Sequence, residues 1–303
     1  LKEFLMDKRV VDIYRPLWWL ILNGPILTFR PSKSGKAYQK IWDKDNYGSP
    51  LRKFTINQTQ KIKETFVSNQ DIVIDYAMRY GIPSINKVLD NMMSQGCKKV
   101  ILVPLYPQYA ASTSATVKDV VFKWMLKQRW QPDLRTVAPW FDEKEYIKAL
   151  ASTVKDNLKN NKKPDVLIIS FHGIPKRYFL AGDPYHCHCI KTARLLKEEL
   201  KLPDDQVLVT FQSRFGPEPW LQPYTDKTII ELAKTGTKNI AVIAPGFISD
   251  CLETLEEINV EARELFFENG GQNFNYIPCL NDNKYSIKLL ENLIKKNLLG
   301  WID

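Results

Sequence analysis

Short apolar runs alternate along this chain with longer segments whose apolar positions recur every three or four residues. The short runs fall at 72–77, 100–105, 135–138, 166–170, 207–211, 240–244 and 274–277, and each predicts a buried strand. The segments between them predict helices. Residues 225–234 open on Thr225-Asp226, turn Ile229, Ile230 and Leu232 inward and stop at Gly236. Residues 190–200 set Ile190, Ala193, Leu196 and Leu200 on one side, and 143–158 and 285–298 read similarly. Regular β-α alternation predicts an α/β fold of doubly wound parallel sheets. A boundary near Pro139-Trp140 would divide the chain into residues 1–139 and 140–303, with a cleft between the halves and the last helix packing back on the first.

At 303 residues with 44% hydrophobic and 25% charged positions, the chain can build real cores and is not of disordered composition. Five cysteines at irregular spacing are no disulfide framework and point to a reducing compartment. The net charge of +9 admits anionic partners, but the lysines are dispersed and no zinc-finger or RNA-binding signature occurs, so nucleic acid is not expected. No secretory pattern and no run of 18 apolar residues is present. The nearest approach is Trp18-Trp19-Leu20-Ile21-Leu22, flanked by Arg15, Arg30 and Lys33. It is too short to cross a bilayer. It suits a lip dipping into the membrane interface, or else a core helix.

Two segments concentrate chemistry beyond strand ends, where open α/β sheets collect ligands. The first is Ser170-Phe171-His172-Gly173-Ile174-Pro175, whose histidine is one of three in the chain. The second is Ser249-Asp250-Cys251-Leu252-Glu253, opening a helix whose inward face is read as Leu252, Leu255, Ile258, Ala262 and Leu265. Glu253, Glu257, Glu261 and Glu264 form a neighbouring stripe with Glu256 beside it; Asp250 and Glu253 also fit a capping box. Glu253 lies at the crevice end. Glu257, one turn on, repels it, and such a pair shares a proton or attracts a divalent cation. Tyr106, and Trp220 in a later loop, follow other strands and could wall a flat apolar ligand. His186-Cys187-His188-Cys189 looks like a metal cluster but runs into a helix, and a helix start is favoured.

These motifs give the chain its resemblance to the ferrochelatases, enzymes that insert ferrous iron into protoporphyrin IX. The segments that carry it are Tyr47-Gly48-Ser49-Pro50-Leu51, Met78-Arg79-Tyr80, 105–109 with Ser112-Thr113, Phe171-His172-Gly173-Ile174-Pro175, Gly182-Asp183-Pro184-Tyr185, Gln212-Ser213-Arg214-Phe215-Gly216-Pro217 with Pro219-Trp220, and 249–257. They span nearly the whole chain in the family's order. The resemblance implies two Rossmann-like, chelatase-type domains and the single-chain proteobacterial form of the enzyme. It places the family's invariant histidine on His172 and its catalytic glutamate on Glu253, both as metal ligands, with Glu257 and Asp250 as supporting acids. Arg79, Tyr80, Tyr106, Trp220 and Ser49 fall to the porphyrin side. The family often widens the glutamate-bearing helix into a π-turn.

Three departures stand out. The family begins earlier, with a strand and a Gly-rich turn lining the active site, so this chain is either a piece or has a first domain lacking a central strand. The cysteines do not reproduce the tail that holds a [2Fe-2S] cluster in some relatives, so no cluster and no prosthetic group are expected, Fe²⁺ being a substrate. Cys251 stands where other branches carry a histidine. The activity implied is the terminal step of haem biosynthesis, a lyase reaction releasing two protons. Its partners are protoporphyrin IX, Fe²⁺, haem and a membrane surface, in a cytoplasmic protein peripheral on the inner membrane; oligomeric state has no signal in the sequence. A chelatase for coproporphyrin or another tetrapyrrole, or a tetrapyrrole carrier without turnover, are the alternatives, and the intact His172 and Glu253 favour an enzyme.

Overall fold

The computed structural model describes residues 1–42, 48–69 and 71–302, the side chain of Lys33 excepted. Tyr47 of the first matching motif, and the flanking charge of Lys33, therefore lie outside the described residues. In chain order the elements are α1 (Lys2–Met6), α2 (Arg15–Ile21), α3 (Leu27–Ile41), α4 (Pro50–Thr65), α5 (Ile85–Ser94), β1 (Lys99–Leu102), α6 (Thr116–Met125), β2 (Asp133–Thr136), α7 (Lys144–Leu158), β3 (Val166–His172), α8 (Lys176–Leu180), α9 (Tyr185–Leu200), β4 (Val207–Gln212), α10 (Thr225–Lys234), β5 (Asn239–Ile243), α11 (Arg263–Glu268), β6 (Asn273–Ile277) and α12 (Lys284–Leu298). Leu22–Ile26, Ala111–Ala115 and Glu253–Ala262 are wider π-type segments.

The second half is built on a parallel four-stranded sheet of order β4-β3-β5-β6. An unbroken apolar run makes β3 its centre, because only a strand covered on both faces can leave no position for a polar residue. Alternate side chains go to opposite sides. Leu167, Ile169 and Phe171 join the core that includes Leu150 and Val154 of α7 and Leu196 of α9, while Val166 and Ile168 pack with Ile229 of α10, Ile258 and Phe266. Each such side chain contributes about 1.5–3 kcal/mol relative to exposure. The closing helix α12 packs on α7, but also on α4 and β1 of the first half, as its pattern suggests. Ile62 of α4 and Phe66 just after it thereby share one core with Leu289, Leu290 and Leu293.

In the first half, β1 and β2 pair in parallel, flanked by a separate core of Ile85, Leu89, Val100, Val117, Val121 and Trp124. β1 is shorter than the apolar run that predicts it, and β2 lies two residues earlier than its run. The run at 72–77 is corrected outright. It is extended, with Ile72 and Ile74 facing the core and Val73 turned outward, but no described strand lies alongside it; a single bridge joins Met78 to Ser84. Alternation reports which side of a chain is covered, not whether its backbone has a ladder partner.

The apolar segment near the start is core on one side and exposed on the other. Trp18 is 3% exposed and its indole N–H donates to the Leu5 carbonyl at 2.8 Å, and Leu22 is also buried. Both belong to a small core with Leu5. Leu17, Trp19 and Leu20 are more than half exposed on the opposite side of α2. Trp18→Ala should therefore cost about 3–5 kcal/mol in urea unfolding, whereas Trp19→Ala should change stability by less than about 0.5 kcal/mol. Equal small losses would remove Trp18 from the core.

Candidate active site

Strand order reverses direction around β3 and β5: the chain passes from β3 outward to β4, then crosses back to β5 and on to β6. That reversal opens a crevice beyond the carboxyl ends of the strands. His172 is the last residue of β3, half-buried at this rim. Its Nδ1 lies 2.6 Å from the Gly173 carbonyl, so Nδ1 carries the proton in this contact and Nε2 is left as the basic nitrogen. The Trp220 and Phe247 rings stand 6.4 Å from the imidazole on two sides.

The loop carrying Trp220 is fastened to the strand end by backbone bonds. Lys176 N–H donates to Pro219 O at 2.9 Å, and Leu221 N–H to Ile174 O at 3.0 Å. Gly173 suits this approach, since a Cβ there would sit 3.2 Å from the Trp220 ring and 3.1 Å from the Gln212 carbonyl and would press both back by a few tenths of an ångström. From the first half come Tyr106, Arg79 and Ser49. Burial raises the Tyr106 phenol above its ordinary value, with Arg79 pulling it down and Glu253 pushing it up. Arg79 is nearly buried, ion-paired to Asp7, bonded to Thr116 O at 3.0 Å and stacked 4.2 Å from the Tyr80 ring. Asp7 also accepts from the Tyr80 hydroxyl. Ser49 caps α4, accepting from Arg52 N–H at 3.3 Å.

The carboxylates stand on the π segment Glu253–Ala262, which leads into α11. Its i→i+5 turns are wider than α turns, so the expected stripe does not survive. Thr254, Glu256, Ile258, Ala262 and Phe266 are buried, while Leu252, Leu255 and Leu265 are only partly so. Glu256, read as a flanking residue, is turned inward, where Lys40 of α3 meets it at 2.5 Å. Glu257 accepts a short hydrogen bond from Ser213, a residue at φ +65° at the end of β4. Its carboxyl is pushed up to about 7, by burial first and by repulsion from Glu253 and Glu261, against the pull of Ser213 and Arg30. Glu253 stays at the crevice end, half-buried, with its carbonyl accepting from Gln212 Nε2 at 3.0 Å.

No capping box forms. Asp250 is 4% exposed, and both its oxygens are occupied by Tyr276 OH, Thr254 Oγ1, Cys279 N–H and Asn281 Nδ2. It braces the helix and does not face the crevice. His172, Glu253, Trp220, Tyr106, Arg79 and Ser49 all line one cavity of about 2310 Å³. That volume exceeds the ~300–1,000 Å³ of a small-ligand pocket, because the cavity runs on from the crevice into the first half beside β1. Among the described residues no three His, Cys, Asp or Glu side chains are arranged around a common metal position.

A family model described as Ferrochelatase matches residues 1–298. The chain is 54% identical over its full length to a protein named Ferrochelatase from Allorhizobium ampelinum, of which it covers 88%, and 52% identical to those of Agrobacterium fabrum and Rhizobium meliloti, covering 88% and 89%. The chain belongs to the ferrochelatase family. Among solved structures it resembles SirB from Bacillus subtilis with Fe³⁺, at TM-score 0.60 and 17% identity, covering 85% of this chain and 96% of that one. This second likeness concerns the fold, which is the two-half chelatase architecture.

Sequence reasoning missed the residues that hold the ferrochelatase carboxylates in place. Gln212 is one: its Oε1 accepts from the Ser170 hydroxyl at 2.7 Å while its Nε2 holds the Glu253 carbonyl, tying β3, β4 and the wide helix together. Ser213 lies within a matching motif, yet nothing in the sequence tells that it would meet Glu257. Tyr38, raised by burial and by the nearby Glu253, was likewise silent. The His186-Cys187-His188-Cys189 segment forms the first turn of α9, as favoured. His188 stacks on Phe141 at 3.7 Å and accepts from Tyr109 N–H, Cys189 is buried and Cys187 exposed, so the four side chains diverge.

Glu257 yields a test of this electrostatic arrangement. Its folded value lies above the ordinary 4.5, so the folded chain holds more protons than the unfolded one between about 4.5 and 7. Stability therefore falls as pH rises through that window. Glu257→Gln should match the parent near pH 4.5 and exceed it by about 3 kcal/mol at pH 8. Urea midpoints at the two pH values measure this, and a variant less stable at pH 8 would contradict the burial argument.

Proposed function

We propose that this chain inserts Fe²⁺ into protoporphyrin IX, releasing two protons and forming haem. The observation that carries the reading is the convergence of His172 and Glu253, from the ends of β3 and of the β5 connection, on one aromatic-walled crevice at the reversal of strand order. Metal entry requires two pyrrole N–H protons to leave while the cation arrives, so a neutral base and a carboxylate belong at the same place. His172 accepts a pyrrole proton at Nε2, its tautomer set by the Gly173 carbonyl. Glu253 meets the cation and the second proton, with Glu257 behind it able to take up a proton near neutrality. Trp220 and Tyr106 press the macrocycle, and a tilted pyrrole exposes its lone pair. Arg79, already neutralised by Asp7, shapes the wall with Tyr80 and Ser49.

Iron is the substrate in this reading, and no resident prosthetic group is assigned. The two halves, divided near Pro139-Trp140, hold the porphyrin between them. The outer side of the lip presents Tyr14, Leu17, Trp19, Leu20 and Phe29, exposed by half or more, and no helix among the described residues is long and apolar enough to cross a membrane. This supports a cytoplasmic protein seated peripherally on a bilayer, with apolar substrate and product passing at its lip.

Zinc insertion into protoporphyrin, with coproporphyrin in parallel, followed by fluorescence, tests the reaction and its substrate. His172→Ala should lower turnover by about 10²–10⁴-fold while porphyrin still quenches tryptophan emission. Glu253→Gln should cost far more than Glu264→Gln, and equal small effects would return the glutamates to a solvated face. Trp19→Ser should weaken flotation with anionic liposomes without lowering the melting temperature; unchanged partitioning would remove the membrane from the account.

A further inference from the structure

We propose that Asn281 is a positioning residue for metal insertion, transmitting the placement of α4 in the first half to Glu253 through Asp250; the inference rests on the reaction proposed above. Asn281 follows β6 in a left-handed conformation, φ +49°, which asparagine tolerates far better than other side chains. Its amide grips Asp250 twice. Nδ2 donates to Asp250 Oδ2 at 2.7 Å, and Oδ1 accepts from the Asp250 N–H at 2.8 Å. Its own N–H donates to Ile248 O at 2.8 Å, closing the β5 connection on itself.

The Asn281 carbonyl is taken by the other half of the molecule. Gln58 of α4, 2% exposed, donates from Nε2 to Asn281 O at 2.7 Å and to Ser249 Oγ at 3.1 Å. Beside it, Lys61 binds Asp282 at 2.7 Å. Beyond Asp250 the line of bonds reaches Thr254 Oγ1 at 3.1 Å, adjacent in sequence to Glu253. The wide helix has no side-chain cap of its own, so its first turn is held by this brace on one side and by Gln212 on the Glu253 carbonyl on the other. Gln58, Ser249 and Glu253 all border the cavity, while Asn281 does not, which makes Asn281 an indirect actor.

The experiment measures kcat and KM for zinc insertion into protoporphyrin with Asn281→Gly, which keeps the left-handed backbone and loses only the amide. Partners one layer behind a metal-handling carboxylate typically matter by about 10–100-fold, so kcat should fall by that much while the porphyrin KM stays within about twofold. Gln58→Leu, on the opposite half, should lower kcat in the same way, and the double variant should be no worse than the poorer single one. Circular-dichroism melts set the assay temperature below every transition. Parent-like kcat in folded Asn281→Gly, a loss that follows only the folded fraction, or losses that multiply in the double variant would overturn the inference. A parent protein that metallates neither protoporphyrin nor coproporphyrin would instead overturn the reaction itself.

Discussion

Parallel pairing of β3 to β4 along one edge and to β5 along the other buries residues 166–171 on both faces and sends the chain off the sheet at His172. The positions of the crevice groups that the second half supplies follow from that pairing. Because β4 and β5 flank the same strand, their own carboxyl ends open onto the same rim, and the loops after them reach His172 without a long excursion. The β4 loop supplies Gln212, Ser213 and Trp220, and the β5 connection supplies Asp250 and Glu253. A hydrophobic strand thus sets distances among polar groups that share no sequence neighbourhood.

On this rim the wide helix distributes its carboxylates in a way an α-helix would not. With α spacing, Glu253 and Glu257 would stack on one face and Glu256 would stand aside in solvent. In the π segment Glu256 turns inward to Lys40, and Glu257 turns toward Ser213. Glu253 alone remains at the crevice end. The geometry sends two of the three carboxyl groups to separate partners and leaves the third at the crevice, which lets a dense acidic sequence exist beside a half-buried site. Glu257 still bears the cost of burial, which is the main cause of its raised value, and repulsion from Glu253 and Glu261 adds to it.

Most of the strands and helices were legible because burial leaves a period, and the second half, covered on both faces, obeyed that period closely. The helix at 225–234 matches α10 to the residue. The failures have physical causes. Residues 72–77 alternate as a strand does, but a ladder needs a neighbour that pattern cannot supply. Leu252, Leu255 and Leu265 were placed inward on an α period that the i→i+5 turns do not keep. Trp18 and Trp19 are chemically equal in sequence, and only the opposite faces of α2 decide that one donates to Leu5 while the other meets solvent. His172 and Glu253 stood out because they follow strands and fall in the motifs that carry the family resemblance; the contacts of Gln212, Tyr38 and Asn281 did not, since each joins distant segments.

The lip shows how local charge matters more than the net value of +9. Helix α3 brings Lys40 to Glu256, sets Tyr38 beside Glu253 and rests Arg30 4.8 Å over the Phe215 ring, near enough to Glu257 to draw its value down. At its other end the lip is held by Arg177 of α8, which bonds Asp12 and Glu218 together. Ion pairs therefore fasten both ends of the lip to the second half, with the cation on the lip at one end and on the second half at the other. Exposed pairs of this kind are individually worth about 0–1 kcal/mol, so the fastening is reversible at Arg177. It is firmer at Glu256, whose buried carboxylate has one oxygen on Lys40 and the other without a partner among the described residues. Detaching Lys40 would leave that carboxylate without a partner in the interior, so the α3 end of the lip is held more firmly than the Arg177 end.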